Sequence, residues 1–128
     1  MRLKIFKLLL VIFILLLFCG SAFAGDYLKI HFFDVGEGEA VLVQAESEFA
    51  LIDTGSLLSG YKLIDYLKEH EINKLKYLIM THPHADHIAG AFFIMPKIEI
   101  EQIFDNAQTL NEDDDMQRLY KRLARSKD

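Results

Sequence analysis

The chain of 128 residues predicts a layered α/β fold. Two observations support this. Runs such as Leu28, Ile30 and Phe32 place apolar residues at every second position, the period of a half-buried strand. Between such runs lie stretches such as Leu63, Ile64 and Leu67, whose apolar residues recur at helical spacing with charges on the other side. Strands that alternate with amphipathic helices build architectures in which helices pack onto a sheet.

The amino terminus reads as an export signal. Arg2, Lys4 and Lys7 precede an unbroken apolar run of eleven residues, Leu8 to Phe18, and Ala22-Phe23-Ala24 has the small-x-small form of a cleavage site. Residues 1–24 are expected to be removed after Ala24, leaving a protein of residues 25–128 that is secreted or periplasmic. A retained membrane anchor is the alternative, but eleven apolar residues fall short of the roughly 20 a spanning helix needs. Cys19 suggests a lipoprotein, although the bulky Phe18 before it does not suit a lipobox.

Leu28, Ile30 and Phe32 alternate with Lys29 and His31 in a strand that ends at Asp34, with His31 expected to be an exposed residue rather than a ligand. Asp34 to Glu39, with Gly36 and Gly38, is a turn leading to a strand at Ala40–Gln44. Phe49–Ile52 is a further apolar run, closed by Asp53-Thr54-Gly55. A carboxylate at that strand end either accepts the free ring N–H of a metal-bound histidine or makes an Asx turn with its own neighbours. Tyr61 to His70 predicts a surface helix, with His70 solvated at its end. Lys76–Met80 predicts a strand, Ile88–Met95 a short buried helix stopped by Pro96, and Ile98–Phe104 another strand. Met116, Leu119, Tyr120 and Leu123 form a helical stripe, with Asp113 to Asp115 at its start and Lys121, Arg122, Arg125 and Lys127 at its end, as the helix dipole favours.

The strand at Lys76–Met80 delivers Thr81-His82-Pro83-His84-Ala85-Asp86-His87, which holds three of the five histidines. Imidazole and carboxylate together suit zinc and similar divalent transition ions, and an ion with an open position generates a hydroxide nucleophile near neutral pH. His82 and His84, two apart, point to one side of an extended loop and can share an ion. Asp86 and His87 follow a change of direction and can serve a neighbouring one. Pro83 stiffens the loop. A polar loop with chance histidines is the alternative. Four ligands do not close two catalytic sites, each of which takes about three protein ligands plus water.

The sequence resembles the metallo-beta-lactamase superfamily, whose His-x-His-x-Asp-His signature matches His82, His84, Asp86 and His87. Phe33-Asp34-Val35-Gly36-Glu37-Gly38-Glu39-Ala40, Leu51-Ile52-Asp53-Thr54-Gly55 and Leu78-Ile79-Met80-Thr81-His82 follow the order seen in ComEC-type metallo-hydrolase domains and their secreted stand-alone relatives. The resemblance covers about residues 28–125. It implies an αββα sandwich with two zinc ions, the first on His82 and His84 and the second on Asp86 and His87. Asp86 is also the implied catalytic residue, with Asp53 close behind the site and Asp34 near it. Glu37 and Glu39 stand where relatives often have Gln and Asp, and Ala91 where a second glycine often follows Gly90.

Relatives complete the centre with two further histidines and a bridging aspartate downstream. Here no histidine follows His87, and none of Asp105, Asp113, Asp114, Asp115 and Asp128 resembles the bridging position. The expectation is the first half of the sandwich, whose bare inner sheet face needs the missing carboxyl-terminal half or self-association to cover it. Residues 25–128 carry 11 Lys+Arg against 19 Asp+Glu, a net charge of about −8, and no cysteine. Metal ligands are therefore nitrogen and oxygen, no disulfide framework exists, and no strong nucleic-acid groove is expected. The function expected is a metal-dependent hydrolase of a small molecule or phosphodiester. The alternatives are a non-catalytic fragment with an incomplete metal site and a beta-lactam hydrolase.

Overall fold

The computed structural model describes residues 27–107 and 114–126. The amino-terminal segment expected to be an export signal, Asp113, Lys127 and Asp128 lie outside the described residues. Five strands form one sheet in chain order: β1 (Leu28–Phe32), β2 (Val41–Ala45), β3 (Glu48–Ile52), β4 (Lys74–Met80) and β5 (Glu99–Asp105). The first three are antiparallel neighbours, while β3–β4 and β4–β5 are parallel. Parallel neighbours require crossovers. Helix α1 (Leu57–Glu69) makes the first, and α2 (Ala85–Ile88) with α3 (Ala91–Ile94) the second; α4 (Asp115–Arg125) follows β5. Among the described residues no helix is long and apolar enough to cross a membrane.

Helix α1 begins one turn earlier than its apolar periodicity suggests. Ser56 caps it by accepting the Ser59 N–H at 3.4 Å, and its core stripe is Leu63, Ile64 and Leu67. The predicted helix at Ile88–Met95 is two short helices. The first starts at Ala85, which places Asp86 and His87 inside a helical turn. Asp114 caps α4 by accepting the Gln117 N–H at 2.9 Å.

The helices cover one sheet face, and the core lies between. The cross-strand row Leu42, Leu51, Leu78 and Ile103 packs against Leu63, Leu67, Ile88 and Ile94. The opposite row runs Phe32, Val41, Ile52, Ile79 and Phe104. Its ends, Phe32 and Phe104, are 77% and 51% exposed. This corrects the expectation for β1. The period of two is right, but Leu28, Ile30 and Phe32 face outward while His31 turns toward the helices, half-buried, with Nδ1 3.1 Å from the Tyr66 hydroxyl. Burial follows from which face the helices cover, and alternation alone does not say which.

A paired measurement checks this layering. Leu51→Ala is expected to cost about 2–5 kcal/mol because the residue is fully buried. Phe32→Ser is expected to stay within about 0.5 kcal/mol in urea unfolding. A large cost at Phe32 would mean that the outer face is packed.

Candidate metal centre

Strands β3, β4 and β5 end side by side, with Ile52 beside Ile79 and Met80 beside Asp105. Asp53, Thr81-His82 and Asn106 therefore emerge at one end of the sheet, outside the carboxyl ends of parallel strands, where open α/β sheets carry their sites. The Asn106 side-chain amide donates to the Thr81 carbonyl at 2.7 Å, tying the ends together. The β1–β2 turn closes the other flank: a Cβ added to Gly38, whose φ is +90°, would lie 1.9 Å from the Asp86 carbonyl oxygen.

Asp53 is the hub. Its side chain is fully buried, in a left-handed backbone conformation with φ 52° that aspartate tolerates better than most residues. Oδ1 accepts the Thr81 N–H at 2.8 Å, and Oδ2 accepts the Thr81 hydroxyl at 2.5 Å and His87 Nδ1–H at 2.8 Å. The carboxylate thus binds β4 and α2 rather than making an Asx turn with its own neighbours. His87 is fixed twice, since its carbonyl accepts both the Thr54 N–H and the Thr54 hydroxyl at 2.8 Å.

This network sets the tautomers of two histidines. An ionised carboxylate only accepts, so the proton between His87 and Asp53 sits on Nδ1 and leaves His87 Nε2 with a free lone pair. Thr81 has a single hydroxyl proton, given to Asp53, and its oxygen lies 2.9 Å from His82 Nδ1. That contact is satisfied only if His82 Nδ1–H donates, which leaves His82 Nε2 bare as well. Asp53 therefore readies both rings for a metal, directly and through Thr81.

The side chains of Asp53, His82 and His87 converge, each offering an atom within 4.8 Å of the others. Asp53 is already committed to three hydrogen bonds, so it orients the imidazoles, while His82 and His87 supply ligand atoms. Their rings stand 3.9 Å apart, and His84, exposed, lies edge-on to His82 at 4.7 Å. Asp86 Oδ2 is 3.7 Å from His87 Nε2. His84 and Asp86 thus lie beside the converging group of Asp53, His82 and His87 without belonging to it, and the nitrogen and oxygen donors of that group fit a transition metal. Asp34 does not join them. It is exposed, and Oδ1 accepts the Gly36 N–H at 3.3 Å within its own turn. His70 is an exposed helix end with Nδ1 2.9 Å from the Tyr66 carbonyl.

Two residues with roles here had no sequence signal beyond their neighbours: Thr81 and Thr54. Thr81→Val is expected to lower metal affinity about tenfold by releasing the His82 tautomer, while Thr81→Ser retains it. Metal titration of the two variants checks this; equal affinity in Val and Ser would remove the relay. On the β5 side, Tyr120 is 2% exposed and donates to Asp105 Oδ2 at 3.4 Å. Burial first, then the Asp105 charge, raises its hydroxyl above the usual tyrosine range.

A family model described as the metallo-beta-lactamase superfamily matches residues 33–106. Among solved structures, a protein from Thermotoga maritima provisionally described as a metallo-beta-lactamase is 26% identical, with a TM-score of 0.38. The match covers 52% of this chain and 38% of that one, so the chain spans well under half the length of this neighbour. No curated protein matches the sequence.

Proposed function

The chain belongs to the metallo-beta-lactamase superfamily, whose members are in general metal-dependent hydrolases, and from that premise we propose that it binds zinc and hydrolyses phosphate diesters. The observation that carries the metal reading is the pair of bare Nε2 atoms on His82 and His87, both set by Asp53. His84 and Asp86 complete the donor set beside them. A bound zinc ion supplies Lewis acidity and activates water for attack on a phosphoryl or carbonyl centre. The protein's own part is orientation. Asp53 and Thr81 keep the imidazole protons on Nδ1, Thr54 fixes the His87 backbone, and Pro83, buried within the loop, limits the ordering required when the ligands close.

The preference for a phosphate diester over a lactam rests on the order of the three sequence motifs around Asp34, Asp53 and His82. The test is metal per chain by elemental analysis after dialysis, together with turnover of bis-p-nitrophenyl phosphate beside a chromogenic cephalosporin. Tightly held zinc with phosphodiester turnover is expected, and His84→Ala is expected to abolish both. Wild-type turnover in His84→Ala would sink the assignment, and cephalosporin turnover alone would replace the substrate.

A further inference from the structure

We propose that the free edge of β1 is a docking surface for a second copy of this chain, joined strand to strand about a two-fold axis at Ile30. None of the residues involved belongs to the metal centre, so the pairing stands apart from the hydrolase reading above.

Strand β1 closes one side of the sheet and pairs only with β2. Its backbone groups divide by parity. The Phe33 N–H donates to the Ala40 carbonyl at 3.0 Å and the Glu46 N–H to the Tyr27 carbonyl at 3.4 Å, so the odd-numbered residues face β2. The N–H and C=O groups of Leu28, Ile30 and Phe32 point the other way, and no described residue pairs with them. Their side chains lie on the uncovered sheet face, each at least half exposed. Natural sheets block such edges with charges, proline or bulges, because an open edge is a template for pairing. β1 holds no proline and no carboxylate, and its one lysine, Lys29, sits on the helix side. The opposite edge, β5, is blocked. A copy paired antiparallel about Gln102 would set Glu99 against Asp105, like charge against like.

The register selects β1 itself as the occupant. Antiparallel pairing centred on Ile30 sets Ile30 opposite Ile30 and Leu28 opposite Phe32. These are all outward-facing residues, so every free N–H and C=O along both strands finds a partner. A shift of one residue opposes outward groups to inward ones, and a shift of two leaves one residue of each strand over. On the uncovered face aliphatic meets aliphatic or aromatic, a pairing that stabilises neighbouring strands. On the helix face Lys29 stands opposite His31, so lysine does not meet lysine. The contact is isologous and closes on itself. It places the two metal centres at opposite ends of the joint sheet, each still built from one chain. One short strand buries less than a standard interface, so the expected Kd is about 10–1,000 μM.

The test places single cysteines in the whole chain carrying Cys19→Ser, so that each variant has one thiol. Opposed residues of a hydrogen-bonded antiparallel pair have Cα atoms about 5.5 Å apart, within disulfide reach. The two copies of residue 28, or of residue 32, would lie about 13 Å apart. Ile30→Cys is therefore expected to form a disulfide-linked dimer in oxidised glutathione, with or without zinc. Leu28→Cys and Phe32→Cys are expected to cross-link only when mixed with each other. Sedimentation equilibrium should show a monomer–dimer equilibrium that Ile30→Val keeps and Ile30→Lys abolishes at an unchanged urea midpoint. Mixing Ile30→Lys with Ile30→Glu should restore the dimer. Equal cross-linking by all three single variants is what association through the apolar run at residues 8–18 would give, and it would overturn the proposal. So would a monomer at about 1 mM, which would leave the edge to an extended peptide of another protein, or a dimer that Ile30→Lys leaves intact.

Discussion

Replacing Asp53 with alanine is expected to destabilise the fold by about 3–5 kcal/mol, the range for removing one partner from a buried charged network. The change strands the Thr81 N–H, the Thr81 hydroxyl and the His87 Nδ1–H, all of which now donate to this fully buried carboxylate. A donor left without a partner costs about 1–3 kcal/mol where water cannot reach it; Thr81 is exposed, so the loss falls chiefly on His87 and on the buried pocket that held the carboxylate, and the three contributions do not add because they share one site. Alanine also accepts the left-handed backbone at φ 52° less readily than aspartate does. Asp53→Asn separates folding from chemistry. The amide keeps the shape of the carboxylate, but its NH₂ donates. If it faces His87, Nδ1 must accept, and the ring proton moves to Nε2, the atom a metal needs. Asn is therefore expected to retain most of the stability and lose metal affinity about 10–100-fold. Urea unfolding with metal titration distinguishes the two variants. A folded Asn variant that holds zinc as wild type does would mean that Asp53 does not set the tautomer.

The histidine cluster was legible because liganding residues at spacings of two and three are rare and lie in one loop, so no tertiary information was needed to group them. Asp53 was legible as a strand-end carboxylate close to that cluster. Thr81 and Thr54 were not. Hydroxyls occur everywhere, and their roles come from partners 28 and 33 residues away, across two strands and a helix. Asp34, a turn aspartate beside glycines, accepts from its own backbone at Gly36, a partner that the sequence pattern alone does not reveal. Strand positions followed from periodicity, but the covered face of β1 did not, because Leu28, Ile30 and Phe32 look the same whichever side the helices occupy. The early start of α1 was hidden by Gly60, a poor helix former required by packing: a Cβ there would lie 2.7 Å from the Gly90 Cα.

Gly90→Ala is expected to cost about 3 kcal/mol, the upper end for overpacking by one methyl, and to weaken metal binding with it. The backbone is not the reason, since φ −62° and ψ −22° suit any residue. The space is. A Cβ on Gly90 would lie 2.1 Å from the Thr54 carbonyl oxygen and 2.9 Å from its carbon, and backbone cannot step aside as a flexible side chain can. Thr54 is itself pinned to the His87 carbonyl by two hydrogen bonds, and the Gly90 N–H holds the Gly55 carbonyl at 3.1 Å. Parting these segments shifts His87 against Asp53, so stability and metal affinity should fall together. Ala91 is the control. Its methyl is fully buried and accommodated, so the close approach belongs to Gly90 alone of the two. Ala91→Gly is expected to cost only about 1 kcal/mol, from helix propensity, and to leave metal binding unchanged. Thermal unfolding and zinc titration of both variants test the argument: an undamaged Gly90→Ala protein would mean that the β3 loop and the histidine helix are free to move apart, and the rigid coupling of Thr54 to His87 would go with it.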